Sequence, residues 1–441
     1  MPNDKRARND KRTIFGWAMY DWANSAYITI FGAVIGAFFT GTIMTGDTYW
    51  GMSGEALFSI LIGLGSIILL LAMPILGAVA DYTDAKRRFL RNFAFVGAAF
   101  AILIAFVPDG QVVVFLLIVV VSQFGFVAAN VFYDGFLPEI ASDDTVDQVS
   151  SKGFALGYLG GGLYLLFALV LILLSDEDPN AAFNETFAAR IAIFGAGVWW
   201  VVFSLFSLAR LPADGTSGAS RSLGDYASIG FSRTIETMKK LREFPQLLMF
   251  IVAFIIYNSG IGTVIAVSGP YAEDTLSLEL ETIAIAFLIV QFIAVGGAFM
   301  LGALANRIGP KRSVLITLVV WIGVAVLAYF LPEGGSTGFL ALAAVIGFVL
   351  GGVQALSRSL YASMIPEEGS AEFFGFYSVF SKLSGIGPLM FGLVSATTGS
   401  GRTAILSIAL FFVIGLVLLV RVDVDTARAS RDRWDFESAK V

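Results

Sequence analysis

GAVADYTDAKRR at residues 77–88 and GALANRIGPKR at residues 302–312 each close a long apolar segment with a cluster of basic residues. Their first residues, Gly77 and Gly302, are 225 positions apart in a chain of 441. A repeat at about half the chain length indicates that one unit was duplicated in tandem. In a membrane protein, two parallel repeats of this kind form a site at the interface between the halves.

The composition is typical of a membrane protein. Hydrophobic residues make up 57% of the chain, charged residues 14%, and the mean hydropathy is +0.81. A membrane-crossing helix needs about 20 apolar residues, and the chain contains twelve such runs. They lie at about 14–40, 54–80, 89–107, 111–134, 152–174, 187–209, 246–269, 281–305, 313–331, 338–362, 373–397 and 403–420.

These runs predict an all-α, polytopic membrane protein with twelve transmembrane helices in two six-helix pseudo-repeats. The predicted divisions are an N-terminal tail at 1–13, a first bundle at 14–209, a linker at 210–245, a second bundle at 246–420 and a C-terminal tail at 421–441. Within the linker, the segment 226–244 has apolar residues at helical spacing. We expect it to form a surface helix along the headgroups or a solvated helix.

The positions of the basic residues predict the orientation. With twelve spans, 26 of the 28 lysines and arginines fall on the side shared by both termini. Only Arg190 and Arg402 fall on the other side. Because loops rich in basic residues stay in the cytoplasm, we expect both termini to be cytoplasmic in a cell inner (plasma) membrane. The net charge of −6 gives no reason to expect a nucleic-acid partner.

Two residue types are absent and limit the chemistry. The chain contains no cysteine and no histidine, which are the usual ligands of transition metals. It also contains no phosphate-binding loop of the G-x-x-x-x-G-K-[ST] pattern. We therefore expect no metal, no cofactor and no enzymatic activity. If the protein couples to protons, a carboxylate must carry the proton.

Other parts of the two halves also match. Tyr133, Pro138 and Glu139 at the end of the fourth span recur as Tyr361, Pro366 and Glu367 at the end of the tenth, all at an offset of 228 residues. The Asn24-Ser25 pair of the first span returns as Asn258-Ser259 in the seventh. The matches keep their order along the chain, which favours duplication over chance similarity of apolar helices.

The two basic stretches resemble the loop signature of the major facilitator superfamily, which lies between helices two and three and again between eight and nine. This resemblance implies that the loops latch neighbouring helices at the cytoplasmic side. Asn306 replaces the usual acid of the second copy, and Tyr82 replaces a base of the first. The resemblance assigns gating roles to Gly77, Asp81, Lys86, Arg87, Arg88, Gly302, Asn306, Arg307, Gly309, Lys311 and Arg312.

Three further segments carry a narrower resemblance: GWAMYDWANSAY at 16–27, GFLPEIASDD at 135–144 and KGFALGYLGGGL at 152–163. They are similar to the UMF1 branch of that superfamily, which is related to the vacuole effluxer Atg22-like proteins. The resemblance implies efflux of small solutes, with amino acids as the substrate class of the eukaryotic relatives.

Polar residues inside the predicted spans are the candidate site. A charge at a helix centre costs at least ~2.5 kcal/mol, so Asp21, Arg358 and Lys382 need a partner or a ligand. We expect Asp134, nearer a helix end, to reach the headgroups more cheaply. Their spacing along each helix places several of the polar residues on shared helix faces. The candidates are Asp21, Asn24, Tyr27, Gln123, Asn130, Asp134, Tyr257, Asn258, Gln354, Arg358 and Lys382.

These groups allow two interpretations. Arg358 and Lys382 could bind the carboxylate of a zwitterion while Asp21 binds its ammonium group. Alternatively, Asp21 pairs internally with Lys382 or Arg358 and locks one conformation. The amides could equally serve as hydrogen bonds between helices.

The sequence thus predicts a monomeric secondary transporter for a small solute, working by rocker-switch alternating access, with proton coupling through Asp21 as an open question. A transport-inactive membrane sensor and a lipid flippase on the same fold are the alternatives.

Overall fold

A computed structural model describes residues 8–44, 46, 48–51, 57–58, 69, 72–176, 178, 180–215, 223–278, 280–382 and 386–434. This part of the chain is helical, and no strand is assigned in it beyond isolated bridges such as that between Asp176 and Asn184. The helices are α1 (Lys11–Ile43), α2 (72–82), α3 (Lys86–Ile104), α4 (Val112–Gly135), α5 (Val146–Leu173), α6 (Glu185–Leu208), α7 (Leu223–Lys240), α8 (Pro245–Pro270), α9 (Leu280–Ile308), α10 (Pro310–Phe330), α11 (Ser336–Met364), α12 (Ser370–Lys382), α13 (Ile386–Thr398), α14 (Gly401–Ser407), α15 (Ala409–Arg421) and α16 (Val424–Arg431).

The predicted spans correspond to these helices. Nine helices within the described residues are long and apolar enough to cross a membrane. Of the other three predicted spans, 89–107 is α3, and 373–397 comprises α12 and α13. The run at 54–80 lies mostly outside the described residues and is seen mainly as α2. The prediction of an all-α fold with twelve spans is confirmed.

Local sequence signals set several helix starts. Asp10 precedes α1 and accepts the backbone N–H of Thr13 at 2.9 Å, as a helix N-cap does. Asn184 does the same for α6 through the N–H of Phe187 at 2.9 Å. Pro310 occupies the first position of α10, where a helix needs no N–H donor. The preceding Gly309 has a φ of 89°, a conformation that favours glycine.

The outer surface of the bundle is apolar. Large side chains such as Leu117, Leu205 and Val319 are more than half exposed. Exposed apolar surface on this scale is costly in water and favourable in hydrocarbon. The long helices therefore present a lipid-facing belt, as expected for a multi-pass membrane protein.

Both described ends of the chain lie at the same end of the bundle, which we call the tail end. Asn9 donates its Nδ2 to Ser142 Oγ at 2.7 Å, and Arg431 of α16 lies 2.9 Å from Asp143. Ser142 and Asp143 belong to the turn between α4 and α5, so the two tails meet at one loop.

The first half (α1–α6) and the second half (α8–α15) touch from the tail end to the middle of the bundle. At the tail end, Ser370 donates to the carbonyl of Gly135 at 2.7 Å. Deeper inside, Ser150 donates to the carbonyl of Ala355 at 2.7 Å. In this structure the halves are therefore closed against each other at the tail end.

Candidate functional site

A buried arginine on α11 joins the two halves. Nη1 of Arg358 lies 3.2 Å from Asp21 Oδ2 on α1 and 3.0 Å from Asp134 Oδ1 on α4. Arg358 is only 3% exposed. Because α11 belongs to the second half while α1 and α4 belong to the first, both ion pairs cross the interface. We call Arg358, Asp21 and Asp134 the charge cluster.

The cluster lies inside the bundle, away from its surface. Arg358 precedes the last residue of α11, Met364, by six positions. At a rise of about 1.5 Å per residue, this places the Arg358 backbone about 9 Å from the tail end of the helix. Charges at this depth are costly unless they are paired.

The remaining donors of Arg358 also bind the first half. Nε donates to Ser150 Oγ at 3.0 Å, and Nη2 donates to the Ser150 carbonyl at 2.9 Å. The guanidinium carbon lies 4.1 Å from the ring centre of Phe154, 4.9 Å from that of Trp17 and 5.5 Å from that of Tyr133. Aromatic faces attract a cation at such distances, so the arginine is held by rings as well as by charges.

A second set of contacts orients Asp21. The Tyr133 hydroxyl donates to Asp21 Oδ2 at 2.8 Å. Trp17 stacks on the Tyr133 ring at 4.5 Å and donates its Nε1–H to the Tyr133 carbonyl at 2.8 Å. Trp17 and Asp21 are four residues apart on α1, so they lie on one helix face. The Asp21 carboxylate is thereby held in place by side chains of its own half.

Close packing at α5 leaves room only for glycine beside the cluster. A Cβ atom at Gly153 would lie 2.8 Å from Arg358 Nη2 and 2.9 Å from Asp21 Oδ2. Real Cβ contacts are longer than this, so any larger residue would displace the ion pair.

The charges of the cluster are unequal. Among the described side chains, two carboxylates face one guanidinium, which leaves one negative charge in excess when both are ionised. An unpaired charge is costly in a membrane interior. A proton or the cationic group of a ligand would balance it. Conversely, a ligand carboxylate could take the place of Asp21 or Asp134 on Arg358.

The sequence left the partner of Asp21 open between Lys382 and Arg358. In the structure Asp21 pairs with Arg358. The side chain of Lys382 lies outside the described residues, although its backbone ends α12. The expectation that Asp134 reaches the headgroups was wrong, because its carboxylate turns inward to Arg358.

Amide and phenol candidates form a second polar layer. Asn24 donates to Asn130 Oδ1 at 2.8 Å and so links α1 to α4 within the first half. Tyr158 donates to Gln354 Oε1 across the interface. The Tyr27 ring stacks 5.2 Å from Trp200 in the core of the first half. This contact packs the Tyr27 ring within the first half.

The other candidates lie further from the cluster. Gln123 is half-buried on α4, seven residues before Asn130. On α8, Tyr257 shares a hydrogen bond of 2.7 Å with Ser357, the neighbour of Arg358. Asn258 donates to the carbonyl of Ser381 at 3.3 Å, which ties α8 to α12. These bonds hold helices together within the second half.

The first basic stretch fastens the halves at the tail end. Asp81 accepts the backbone N–H of Glu372 at 2.8 Å and that of Ala371 at 3.3 Å, so its charge caps the first turn of α12. Lys86 lies 3.1 Å from Asp81 and donates to Ser370 Oγ at 2.6 Å.

Other residues of this stretch support the closure. Lys86 also pairs with Glu139. A Cβ at Gly77 would lie 2.3 Å from the Ala371 carbonyl, so α2 and α12 approach closely there. The backbone N–H groups of Arg87 and Arg88 bind Asp214 at the start of the linker.

The second basic stretch is built differently. Lys311 donates to the carbonyls of Val420 and Val422 at 2.8 and 2.7 Å, within its own half. Asn306, Arg307 and Arg312 are exposed. A Cβ at Gly302 would lie 2.3 Å from Ser151 Oγ, so this glycine lets α9 pack against α5 of the first half. The neutral Asn306 accordingly leaves this loop without the capping charge that Asp81 provides.

The tails add exposed ion pairs between the halves. Arg8 of the N-terminal tail pairs with Glu367, and Arg431 of the C-terminal helix α16 pairs with Asp143. Hydrogen bonding to Asp143 raises the pKa of Arg431. Exposed pairs of this kind contribute at most about 1 kcal/mol each.

Several residues of the site were missed from the sequence. Ser150, Trp17 and Phe154 surround Arg358, yet serines and aromatic residues in apolar helices are common and carry no signal of their own. Tyr133 was identified from the sequence as part of the repeat, but its hydrogen bond to Asp21 was not predicted. Glu139 was likewise seen as a repeat match but is a partner of Lys86.

Comparison with known proteins identifies relatives over nearly the whole chain. Residues 50–432 match the family described as vacuole effluxer Atg22 like. An uncharacterized MFS-type transporter YxiO of Bacillus subtilis is 32% identical over 93% of this chain and 95% of its own length. Autophagy-related protein 22 of Kluyveromyces lactis is 25% identical over 78% of this chain and 74% of its own.

A solved structure of the proton:xylose symporter XylE, a major facilitator superfamily protein bound to 6-bromo-6-deoxy-D-glucose, has the same fold. Its TM-score is 0.71 at 13% identity, and the match covers 95% of this chain and 98% of that one. At this identity the likeness concerns the fold alone.

Proposed function

Because the chain belongs to the vacuole effluxer Atg22-like family of the major facilitator superfamily, we propose that it moves a small polar solute across the membrane by alternating access. The observation that carries this proposal is the charge cluster. An arginine of one half is held by two carboxylates of the other. The halves can separate at the tail end only if this network is broken or its charges are satisfied in another way.

The tail end is the cytoplasmic end in this proposal. Support comes from the 26 basic residues on that side of the twelve spans. Since the halves are closed against each other there, we propose that this conformation is the outward-facing state of a rocker-switch transporter, and that the membrane is a bacterial inner membrane. We also propose that the chain belongs to the UMF1 branch and that the direction of transport is efflux.

The cluster has the chemistry to bind a zwitterion. The carboxylate of an amino acid would compete with Asp21 or Asp134 for the guanidinium, and its ammonium group would pair with the carboxylate that is released. Binding thus exchanges ion pairs within the site, so the buried charges stay compensated. Small amino acids are the cargo class that this arrangement favours.

A proton could act in the same place. Protonation of one carboxylate leaves the guanidinium with a single ionised partner and removes the excess negative charge. The attraction that holds α11 to α1 and α4 is then weaker, and the tail end can open. Asp21 and Asp134 are therefore the proposed coupling residues.

The proposal is tested in two steps on purified protein. Thermal stability is first screened against amino acids, peptides, sugars and drugs, since a ligand that binds only the folded state raises the unfolding temperature. A compound that stabilises is then followed as a radiolabelled solute in proteoliposomes. We expect Asp21→Asn to abolish or uncouple flux without loss of folding.

Asp109→Asn is the matched control, because Asp109 is an exposed partner of Arg190 in an ion pair outside the cluster. It should transport like the parent. Unchanged flux and pH dependence in Asp21→Asn would remove Asp21 from the mechanism. Binding without flux would favour the sensor, and lipid translocation without solute flux would favour the flippase.

A further inference from the structure

In the part of the linker helix α7 whose side chains the structure describes, the large apolar residues lie on the outside. Phe231 and Met238 are each 56% exposed, and Ile235 is 37% exposed. Thr234 and Thr237 are instead buried, at 8% and 4%. This is the reverse of a helix that packs its apolar face onto a water-soluble protein.

The helix divides into three sectors. At about 100° per residue, Phe231, Ile235 and Met238 form one stripe. The buried and half-buried residues Gly230, Arg233, Thr234 and Thr237 lie about a third of a turn away on one side of it. On its other side lie Ser232, Glu236 and Lys239. One sector thus faces the protein, one is polar, and the apolar stripe between them is exposed.

The protein-facing sector contacts both halves. A Cβ at Gly230 would lie 2.8 Å from Val79 Cγ2 and 2.9 Å from the carbonyl of Ile75, so α7 packs tightly on α2 of the first half. Arg233 lies 3.7 Å from Glu372 in the first turn of α12, which belongs to the second half. The Glu372 side chain is fully buried.

The height of this contact places the stripe at the membrane boundary. Ile75 precedes Asp81 by six residues, so it lies about 9 Å further into the bundle than the tail end of α2. The headgroup region of one leaflet is about 5–7 Å thick. Gly230 therefore contacts α2 near the level where headgroups give way to acyl chains.

We propose that α7 is a membrane-seated helix whose stripe of Phe231, Ile235 and Met238 inserts into the leaflet at the tail end, while Arg233 ties it to α12. The partner is the lipid of that leaflet, because the apolar stripe is exposed at the level where headgroups give way to acyl chains. Lys239 and Lys240 in the last turn, with Arg242 just after it, suit anionic headgroups. A helix held in this way contacts α2 and α12 together and favours the closed tail end.

The chain contains no cysteine, so single labels can be placed without background. Ile235→Cys and Ser232→Cys, the latter on the polar sector as the matched control, are each labelled with an environment-sensitive NBD fluorophore. The full-length protein is reconstituted in vesicles of phosphatidylcholine and phosphatidylglycerol. Quenching by lipid-borne nitroxides is compared with quenching by aqueous iodide.

We expect the label at 235 to show blue-shifted emission and to be quenched by the lipid nitroxides, and the label at 232 to be quenched by iodide. Equal iodide quenching at both sites would overturn the proposal. Protection of 235 from both quenchers, or protection that grows with the protein-to-lipid ratio, would also overturn it, since another protein or a second copy would then cover the stripe.

A second variant shows whether α7 is held in place by the membrane or by its ion pair with α12. Arg233→Gln removes the charge that faces Glu372, and the label at 235 should still be quenched from the lipid. A label that becomes accessible to iodide in this variant would show that the ion pair, and not the membrane, holds the helix. Neither measurement requires transport, so the proposal can fail independently of the proposed function.

Discussion

Replacing Arg358 with glutamine tests the energetics of the charge cluster. The substitution removes the cation that lies 3.2 Å from Asp21 and 3.0 Å from Asp134. Glutamine can still donate one or two hydrogen bonds, but both carboxylates lose their described cationic partner. The two carboxylates are 13% and 19% exposed, so water compensates them only in part.

The expected cost follows from this burial. At an effective dielectric constant of about 20, two unit charges 3 Å apart attract by about 5 kcal/mol before desolvation is subtracted. Removal of one partner of a buried pair typically destabilises a protein by about 3–5 kcal/mol. We expect Arg358→Gln to lower the free energy of unfolding by this amount.

Neutralising one carboxylate should recover part of the loss. In the double variant of Arg358→Gln with Asp134→Asn, only Asp21 remains as an uncompensated charge. Coupling energies between contacting residues are about 0.5–3 kcal/mol, so the double variant should be more stable than the sum of the single effects predicts.

The assay is unfolding of the purified protein in detergent, followed by circular dichroism. Arg8→Gln is the control, since Arg8 forms an exposed ion pair with Glu367 and should contribute under about 1 kcal/mol. If Arg358→Gln unfolds like the parent, or if the effects of the two cluster substitutions are additive, the ion pairs of the cluster do not stabilise the fold.

Two further predictions concern packing and closure. Gly153→Ala should destabilise the protein by about 1–3 kcal/mol in the same unfolding assay, because the added Cβ would clash with Arg358 and Asp21. Gly296→Ala is the control, since a Cβ added there has no atom within 4 Å, and it should not lower the stability. Asp81→Ala removes the oxygens that cap α12, and at about 0.5–2 kcal/mol for a lost cap the alkylation of a cysteine placed at Ser370 should accelerate about 2- to 30-fold; an unchanged rate would show that Asp81 does not fasten the halves.

The sequence predicted the helices well because a long apolar run has few alternatives in a bilayer. Each span must satisfy its own backbone hydrogen bonds, so composition alone assigns it as a helix. The intramembrane charges Asp21 and Arg358 were identified for the same reason, since neither can face acyl chains at low cost.

The partners of these charges were harder to predict. Asp134 lies near the end of α4, and its sequence position allowed either the headgroups or the interior. The rotation of α4 against α1 and α11 decides between them, and that rotation depends on packing such as the stacking of Trp17 on Tyr133. The contribution of Ser150 could not be predicted, because it arises from two helices crossing at one point.

The duplication misleads where the halves have diverged. Two similar basic stretches predict two similar latches, yet only the first is seen to cap a helix of the other half, through Asp81. In the second stretch Lys311 instead binds carbonyls of its own half. Asn306 was the one sequence signal of this difference. For α7, the period of apolar residues indicated a surface helix but not which face meets the protein.

In the proposed mechanism the charge cluster holds the two halves together at the tail end. The most direct test is the distance between spin labels on Gln148→Cys of the first half and Glu368→Cys of the second, both exposed positions in a chain without cysteine. The labels are measured by pulsed electron paramagnetic resonance in lipid nanodiscs, with and without the paired substitutions Asp21→Asn and Asp134→Asn. We expect a single short distance in the parent and an added longer population once both carboxylates are neutral; identical distance distributions would show that the cluster does not hold the halves together.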